Sequence, residues 1–172
     1  DCTDETNGIP VVFFGTPDAA LSGLGAICPG ENAELTINLS GIGPWNITYS
    51  IDNTDQPVIV TNDSPYVFPA GTEGLYHLVS VSDQNCDGSV GGFVDVSAFE
   101  SPSAILSGDP SVCDNSGDGP EVALTGTAPW NVFYSINGIE VENPITAFSY
   151  EITIPAQEEG IYQLVSLSDA NC

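Results

Sequence analysis

The chain repeats itself, and that constrains its fold more than any other feature. Gly43-Pro44-Trp45-Asn46-Ile47-Thr48-Tyr49-Ser50-Ile51 recurs as Ala128-Pro129-Trp130-Asn131-Val132-Phe133-Tyr134-Ser135-Ile136, an offset of 85. The stretch from Gly74 to Cys86 recurs from Gly160 to Cys172, an offset of 86. Leu21-Ser22-Gly23 recurs as Leu106-Ser107-Gly108, and Cys28 as Cys113. Matches this ordered and nearly gap-free mark a tandem array. They divide the 172 residues into a tail of a preceding repeat (1–16), one repeat (17–101) and a second repeat lacking its last strand (102–172). Asp1-Cys2 matches Asn85-Cys86 and the sequence closes on Asn171-Cys172, so the expectation is a segment of a longer array.

Within a repeat the apolar period is two. Leu35, Ile37 and Leu39 alternate with Thr36, Asn38 and Ser40, and Trp45, Ile47, Tyr49 and Ile51 alternate with Asn46, Thr48 and Ser50. The second copy keeps the same inward set as Trp130, Val132, Tyr134 and Ile136. Pro29-Gly30, Asn62-Asp63-Ser64-Pro65 and Asn137-Gly138 are turn signals between such runs. About 85 residues and roughly seven short strands predict an all-β chain of tandem immunoglobulin-like β-sandwich repeats forming a rod. Trp45 and Trp130 are the expected core plugs on the third strand. Tyr76 and Tyr162 each sit two residues after a Gly, where the tyrosine corner of the sixth strand belongs. In that strand Leu75, Val79 and Val81 run out of phase with Tyr76 and Leu78, which predicts a bulge near Val79-Ser80.

Composition excludes whole classes of chemistry. There is no Lys or Arg, 24 Asp plus Glu, and one His, for a net charge of −24. That removes a Schiff-base lysine, an arginine clamp on phosphate and a P-loop lysine. Nucleic acid is not an expected partner, because binding it takes cations that displace phosphate counterions. No stretch reaches the roughly 18 apolar residues that span a bilayer, so no membrane insertion is expected. With 41% hydrophobic residues the chain nonetheless has enough apolar surface for a core. Stability is expected to rise with ionic strength, as salt screens repulsion that no internal cation offsets.

The pattern Leu-Ser-Gly, then Ile-Cys-Pro-Gly, then Leu-x-Gly-x-x-Pro-Trp, then Gly-x-Tyr-x-Leu-x-Ser-x-Ser-Asp-x-Asn-Cys resembles the tandem Ig-like repeats of giant Bacteroidetes surface proteins. Gliding-motility adhesins and related fibres exported by type IX secretion are among them. The resemblance implies an extracellular, cell-surface adhesive or structural fibre used in gliding, attachment or prey capture. Its partners would be neighbouring repeats of the same chain, other copies in a homo-oligomeric fibre bundle, and cell-surface glycans or other cells. Two further readings stand beside it: a carbohydrate- or ligand-binding module, for which Phe13, Phe14, Phe93, Phe133 and Phe148 are the aromatics to inspect, and a spacer in a large secreted enzyme.

Five Cys in a β-protein of this kind read as disulfides. One pairing joins Cys28 to Cys86 and Cys113 to Cys172 within each repeat. In an Ig topology, however, Cys28 and Cys86 fall at opposite poles, whereas a disulfide needs Cα atoms within about 7 Å. The other pairing joins Cys28 to Cys172 across repeats, leaving Cys2, Cys86 and Cys113 to partners elsewhere.

Asp114-Asn115-Ser116-Gly117-Asp118-Gly119 has the oxygen-rich, Gly-containing look of a calcium loop, with Asp114 and Asp118 as candidate ligands. An EF-hand would need an acid at its twelfth position, which falls on Thr125. Asp1, Asp4, Glu5, Asp83 and Asp87 form a second acidic grouping that a cation could bridge. No other cofactor is implied. Catalysis is not expected. Any His-based triad must use His77, whose equivalent in the second copy is Gln163; Ser80 and Ser82 lie on its own strand. Glu140 with Glu142, and Glu158 with Glu159, are acid pairs that 24 carboxylates produce by chance. Asn38, Asn46 and Asn62 head glycosylation sequons, which a Ser/Thr/Asn-rich chain also produces by chance.

Overall fold

The computed structural model describes residues 9–108, 111, 118–156 and 158–172. These form two compact units. One comprises the chain up to Ile27 together with Asn32–Ser97, and the other comprises Cys28–Glu31 and Ala98–Cys172.

In the first unit the period-two segments become strands β1 (Asp18–Gly23), β2 (Ala26–Ile27), β3 (Ala33–Ser40), β4 (Trp45–Ile51), β5 (Thr54–Asp55), β6 (Ile59–Thr61), β7 (Tyr66–Ala70), β8 (Gly74–Ser82), β9 (Ser89–Gly91) and β10 (Phe93–Ala98). One sheet runs β7-β3-β1-β9, and the other runs β2-β10-β8-β4-β5 with β6 also on β4. Alternate residues of both sheets are buried, among them Leu35, Ile37, Trp45, Ile47, Tyr76 and Leu78. This alternation is what two half-buried sheets facing one core require. The first strand changes sheet at Leu24-Gly25, so that β1 pairs β3 and β2 pairs β10. The last strand does the same. β9 runs parallel to β1, and β10 turns antiparallel to β8. Gly92 makes that switch possible: it has φ +82°, and a Cβ there would collide with the Leu21 carbonyl.

The second unit holds β11 (Ser103–Ser107), β12 (Glu121–Thr125), β13 (Trp130–Ile136), β14 (Ile139–Glu140), β15 (Ile145–Ala147), β16 (Glu151–Thr153) and β17 (Tyr162–Ser168). Its sheets are β11-β12-β16 and β14-β13-β15 with β17 on β13. Val122, Leu124, Trp130, Val132, Ala147 and Ile154 form its buried core. The hairpin tip at Asn137-Gly138 has φ 52° and 80°, the left-handed conformations this pair supplies at low cost. Asn137 Oδ1 also accepts the Ile161 amide at 3.0 Å, as Asp52 Oδ1 accepts that of Leu75 at 2.9 Å in the first unit.

The predicted bulge is present in both copies. Pairing of β4 with β8 jumps from Thr48↔Ser80 to Tyr49↔Leu78, leaving Val79 unopposed. The second copy jumps from Phe133↔Ser166 to Tyr134↔Leu164. The fold is therefore an immunoglobulin-like β-sandwich. No helix among the described residues is long and apolar enough to cross a membrane.

Candidate functional site

The most ordered constellation in each unit is built around its tryptophan. Trp45 is 6% exposed and Trp130 fully buried. Each indole N–H donates to a carbonyl five residues back, Ser40 O at 3.1 Å and Thr125 O at 3.0 Å. The tryptophan thereby closes the turn that delivers it and leaves no buried donor unsatisfied. Tyr49 stacks on Tyr76 at 6.1 Å and 9°, and Tyr134 on Tyr162 at 6.3 Å and 13°. The hydroxyls of Tyr76 and Tyr162 donate to Thr72 O and Glu158 O, both at 2.9 Å and both four residues upstream. These are tyrosine corners. Tyr76→Phe should cost about 1 kcal/mol in a urea titration, the worth of one such bond.

The repeated Ser-Asp-x-Asn-Cys stretch, whose first copy holds the Asp83 of the second acidic grouping, folds into a turn. Asp83 Oδ1 accepts the amides of Asn85 and Cys86, both at 2.8 Å. Asp169 Oδ1 accepts those of Asn171 and Cys172 at 2.8 and 2.7 Å, and its Oδ2 accepts Thr127 N at 2.8 Å. These backbone donors hold both carboxyls below the usual aspartate range: Asn85, then Cys86 and Ile42 for Asp83; Cys172, then Thr127 and Asn171 for Asp169. The Asx-turn signature in that pentapeptide was the missed signal. A carboxyl with a lowered folded pKa stabilises above its unfolded value of about 3.9 and loses that contribution as pH falls through the folded value. Asp169→Asn should therefore destabilise the chain at neutral pH, and urea titrations should show the difference from wild type shrinking as pH falls through the folded value.

Cys28 and Cys172 are joined by a disulfide with Cα atoms 5.7 Å apart, and the segment Cys28–Glu31 belongs to the second unit. The pairing of Cys28 with Cys86 and Cys113 with Cys172 is not the one present, because Cys28 and Cys172 are already bonded to each other. Cys86 is a free, half-buried thiol. Cys2 and Cys113 lie outside the described residues.

The remaining candidates do not converge. Asp114 also lies outside the described residues, while Asp118 is exposed and its backbone carbonyl accepts Ala156 N at 3.2 Å. Among the described residues no three His, Cys, Asp or Glu side chains gather as a metal site. Of the second acidic grouping, Asp83 caps its own turn and Asp1, Asp4 and Glu5 are outside the described residues.

His77 is half-buried rather than fully exposed, with Ser50 Oγ 3.1 Å from Nδ1 and 3.0 Å from Nε2. Ser50 is buried, so its hydroxyl does not face a substrate. Glu140, Glu142, Glu158 and Glu159 are exposed, each pair on its own segment. Phe13, Phe14, Phe93 and Phe148 are exposed on three separate segments, and Phe133 is half-buried.

Two β-sandwich units, each organised by a core tryptophan and a tyrosine corner, define an Ig-like domain protein. Residues 10–92 match the family model of the Ig-like domain of nucleoporin POM152. Nucleoporin POM152 of Saccharomyces cerevisiae is 27% identical over 176 residues, covering 85% of this chain. Nucleoporin pom152 of Schizosaccharomyces pombe is 26% identical over 170 residues, covering 84%. The chain spans 13% of the length of both relatives. Among solved structures, the human OSCAR ligand-binding domain is similar at a TM-score of 0.40 and 12% identity, over 86% of this chain and 87% of that one.

These relatives correct the expected setting. They are nucleoporins, not extracellular adhesins, so the cell-surface fibre, type IX export, the Bacteroidetes context, the fibre bundle and the glycan or cell partners are withdrawn. The ligand-binding module and the secreted-enzyme spacer are withdrawn with them. The reason is physical. Among the residues that carried the resemblance, the core tryptophan, the tyrosine corner and the aspartate turn bond to backbone of their own unit and so serve the fold, which does not fix function or compartment.

Proposed function

We propose that this chain is a non-catalytic structural segment of a nucleoporin, a run of Ig-like repeats that acts as a strut within the nuclear pore assembly. Its partners on this reading are other pore components. The observation that carries it is the similarity to two nucleoporins across 84–85% of the chain, which spans both repeats. The chemistry is consistent with a passive part, since the repeated polar devices (indole, tyrosine hydroxyl and aspartate turn) all bond to backbone of their own unit. Tandem sandwiches of this size in a rod would add roughly 30 Å per repeat, the length of a nine-residue strand.

The Cys28–Cys172 disulfide refines the location. Such bonds persist in oxidising compartments and are rare in cytosol. The disulfide thus supports, as part of this proposal, a position on the lumenal side of the membrane that surrounds the pore. Native affinity isolation of the full-length protein from its own cells should recover other nucleoporins. Recovery of cell-envelope proteins without any nucleoporin would contradict the reading.

A further inference from the structure

Alternation along β8 sends one set of side chains into the core and the other onto the outward face of its sheet. Tyr76, Leu78 and Val81 take the core. Leu75, His77 and Val79 take the outward face, and the bulge aims Val79 there, with no residue of β4 opposite it. Phe93 stands beside His77 on β10. Leu75 is 41% exposed, Val79 43% and Phe93 72%. Apolar residues recur at the first two of these positions in the second copy, as Ile161 and Val165, although the residue midway between them changes from His77 to Gln163. The first unit's core does not take these side chains in, so core packing does not explain why they are apolar. They lie on a face, not at an edge: β8 is paired by β10 and β4, and β10 by β2 and β8.

Acids surround this patch. Asp95 lies opposite Leu75 on β10. Asp52 Oδ1 accepts the Leu75 amide at 2.9 Å. The row that runs across the sheet through Phe93, His77 and Ser50 ends at Asp55 on β5. An exposed apolar patch with a polar rim marks a contact surface.

We propose that the patch formed by Leu75, Val79 and Phe93 is a docking surface for a segment of another protein whose apolar side chains are flanked by Lys or Arg. An open sheet face does not enclose a small molecule, and it suits a polypeptide. A second copy would bring −24 against −24, with no Lys or Arg on either chain to offset it. A basic segment instead gains at Asp52, Asp55 and Asp95. An Arg placed beside Asp95 also reaches the Phe93 ring face, where its cation is attracted. The inference goes beyond the strut reading and uses neither compartment nor pore membership, so either can fail alone.

The test is site-specific photocrosslinking of the full-length protein in its own cells. One variant carries p-benzoylphenylalanine in place of Phe93, and the control carries it in place of Val67, an exposed residue on β7 of the other sheet. Both positions are exposed, so urea unfolding of each variant should match wild type. The Phe93 position should give an adduct with another polypeptide at about tenfold or more the Val67 yield, as expected of an aromatic anchor at a contact centre. Sequencing of the adduct should place Lys or Arg next to the apolar residues of the captured segment. Asp55→Asn combined with Asp95→Asn should cut the yield several-fold. That pair removes two of 24 acids, so a loss of this size reports the local rim and not the overall charge. Four results would overturn the proposal: no more adduct at Phe93 than at Val67, an adduct with a second copy or with another segment of the same chain, a captured segment without Lys or Arg, or a yield that the double substitution leaves unchanged.

Discussion

Trp130→Ala is expected to unfold the second unit or bring it to the edge of unfolding. The side chain is fully buried among Val122, Leu124, Val132, Ala147 and Ile154, and its ring lies 5.1 Å from that of Tyr150. Removing an aromatic from such a site costs about 3–5 kcal/mol, because the cavity is only partly refilled. The Thr125 carbonyl also loses its indole donor. A small domain has only about 5–15 kcal/mol in total. The first unit has its own buried set around Trp45, so the loss should be confined to β12, β13 and β17 in an exchange experiment. Trp130→Phe should cost less, since it keeps most of the buried area and forfeits the hydrogen bond. A Trp130→Ala chain with unchanged urea unfolding would remove the tryptophan from its assigned role.

Reduction of the Cys28–Cys172 bond is expected to produce the second large loss. The cross-link has a sequence separation of 144. The chain-entropy model puts a loop of that size at about 5 kcal/mol, and measured values for native disulfides run about 2–5 kcal/mol. Thiol reductant, or Cys28→Ser, should lower the unfolding midpoint of the second unit, to which Cys28–Glu31 belongs. Mass mapping should use a protease that cuts at acidic residues, because a chain without Lys or Arg gives trypsin no site. The expected product is a Cys28–Cys172 linked peptide, with Cys86 alkylated before any reductant is added. A Cys28–Cys86 peptide would refute the assignment.

Much of the fold was legible in the sequence because its causes are local. Period-two alternation marks β3, β4 and β13, and the out-of-phase Val79 announces the bulge. Asn137-Gly138 has the dipeptide chemistry of its turn. Other parts were not legible because their causes are tertiary. β9, Ser-Val-Gly, shows no apolar alternation, and it is a strand because β1 lies beside it. The sheet change at Gly92 depends on the close approach of Leu21. The turns capped by Asp83 and Asp169 were not legible, because an Asx turn and a solvated carboxylate look alike until the amides are placed. The biological setting was the least legible. Core packing determines a sandwich and says little about the compartment it serves, so a resemblance carried by core residues pointed to the wrong one.

Immunogold electron microscopy of the full-length protein, tagged in its own cells, tests the central claim most directly. The structural-segment account predicts gold particles at nuclear pores, concentrated on the lumenal face of the surrounding membrane. Particles distributed over the cell surface, with none at pores, would contradict it.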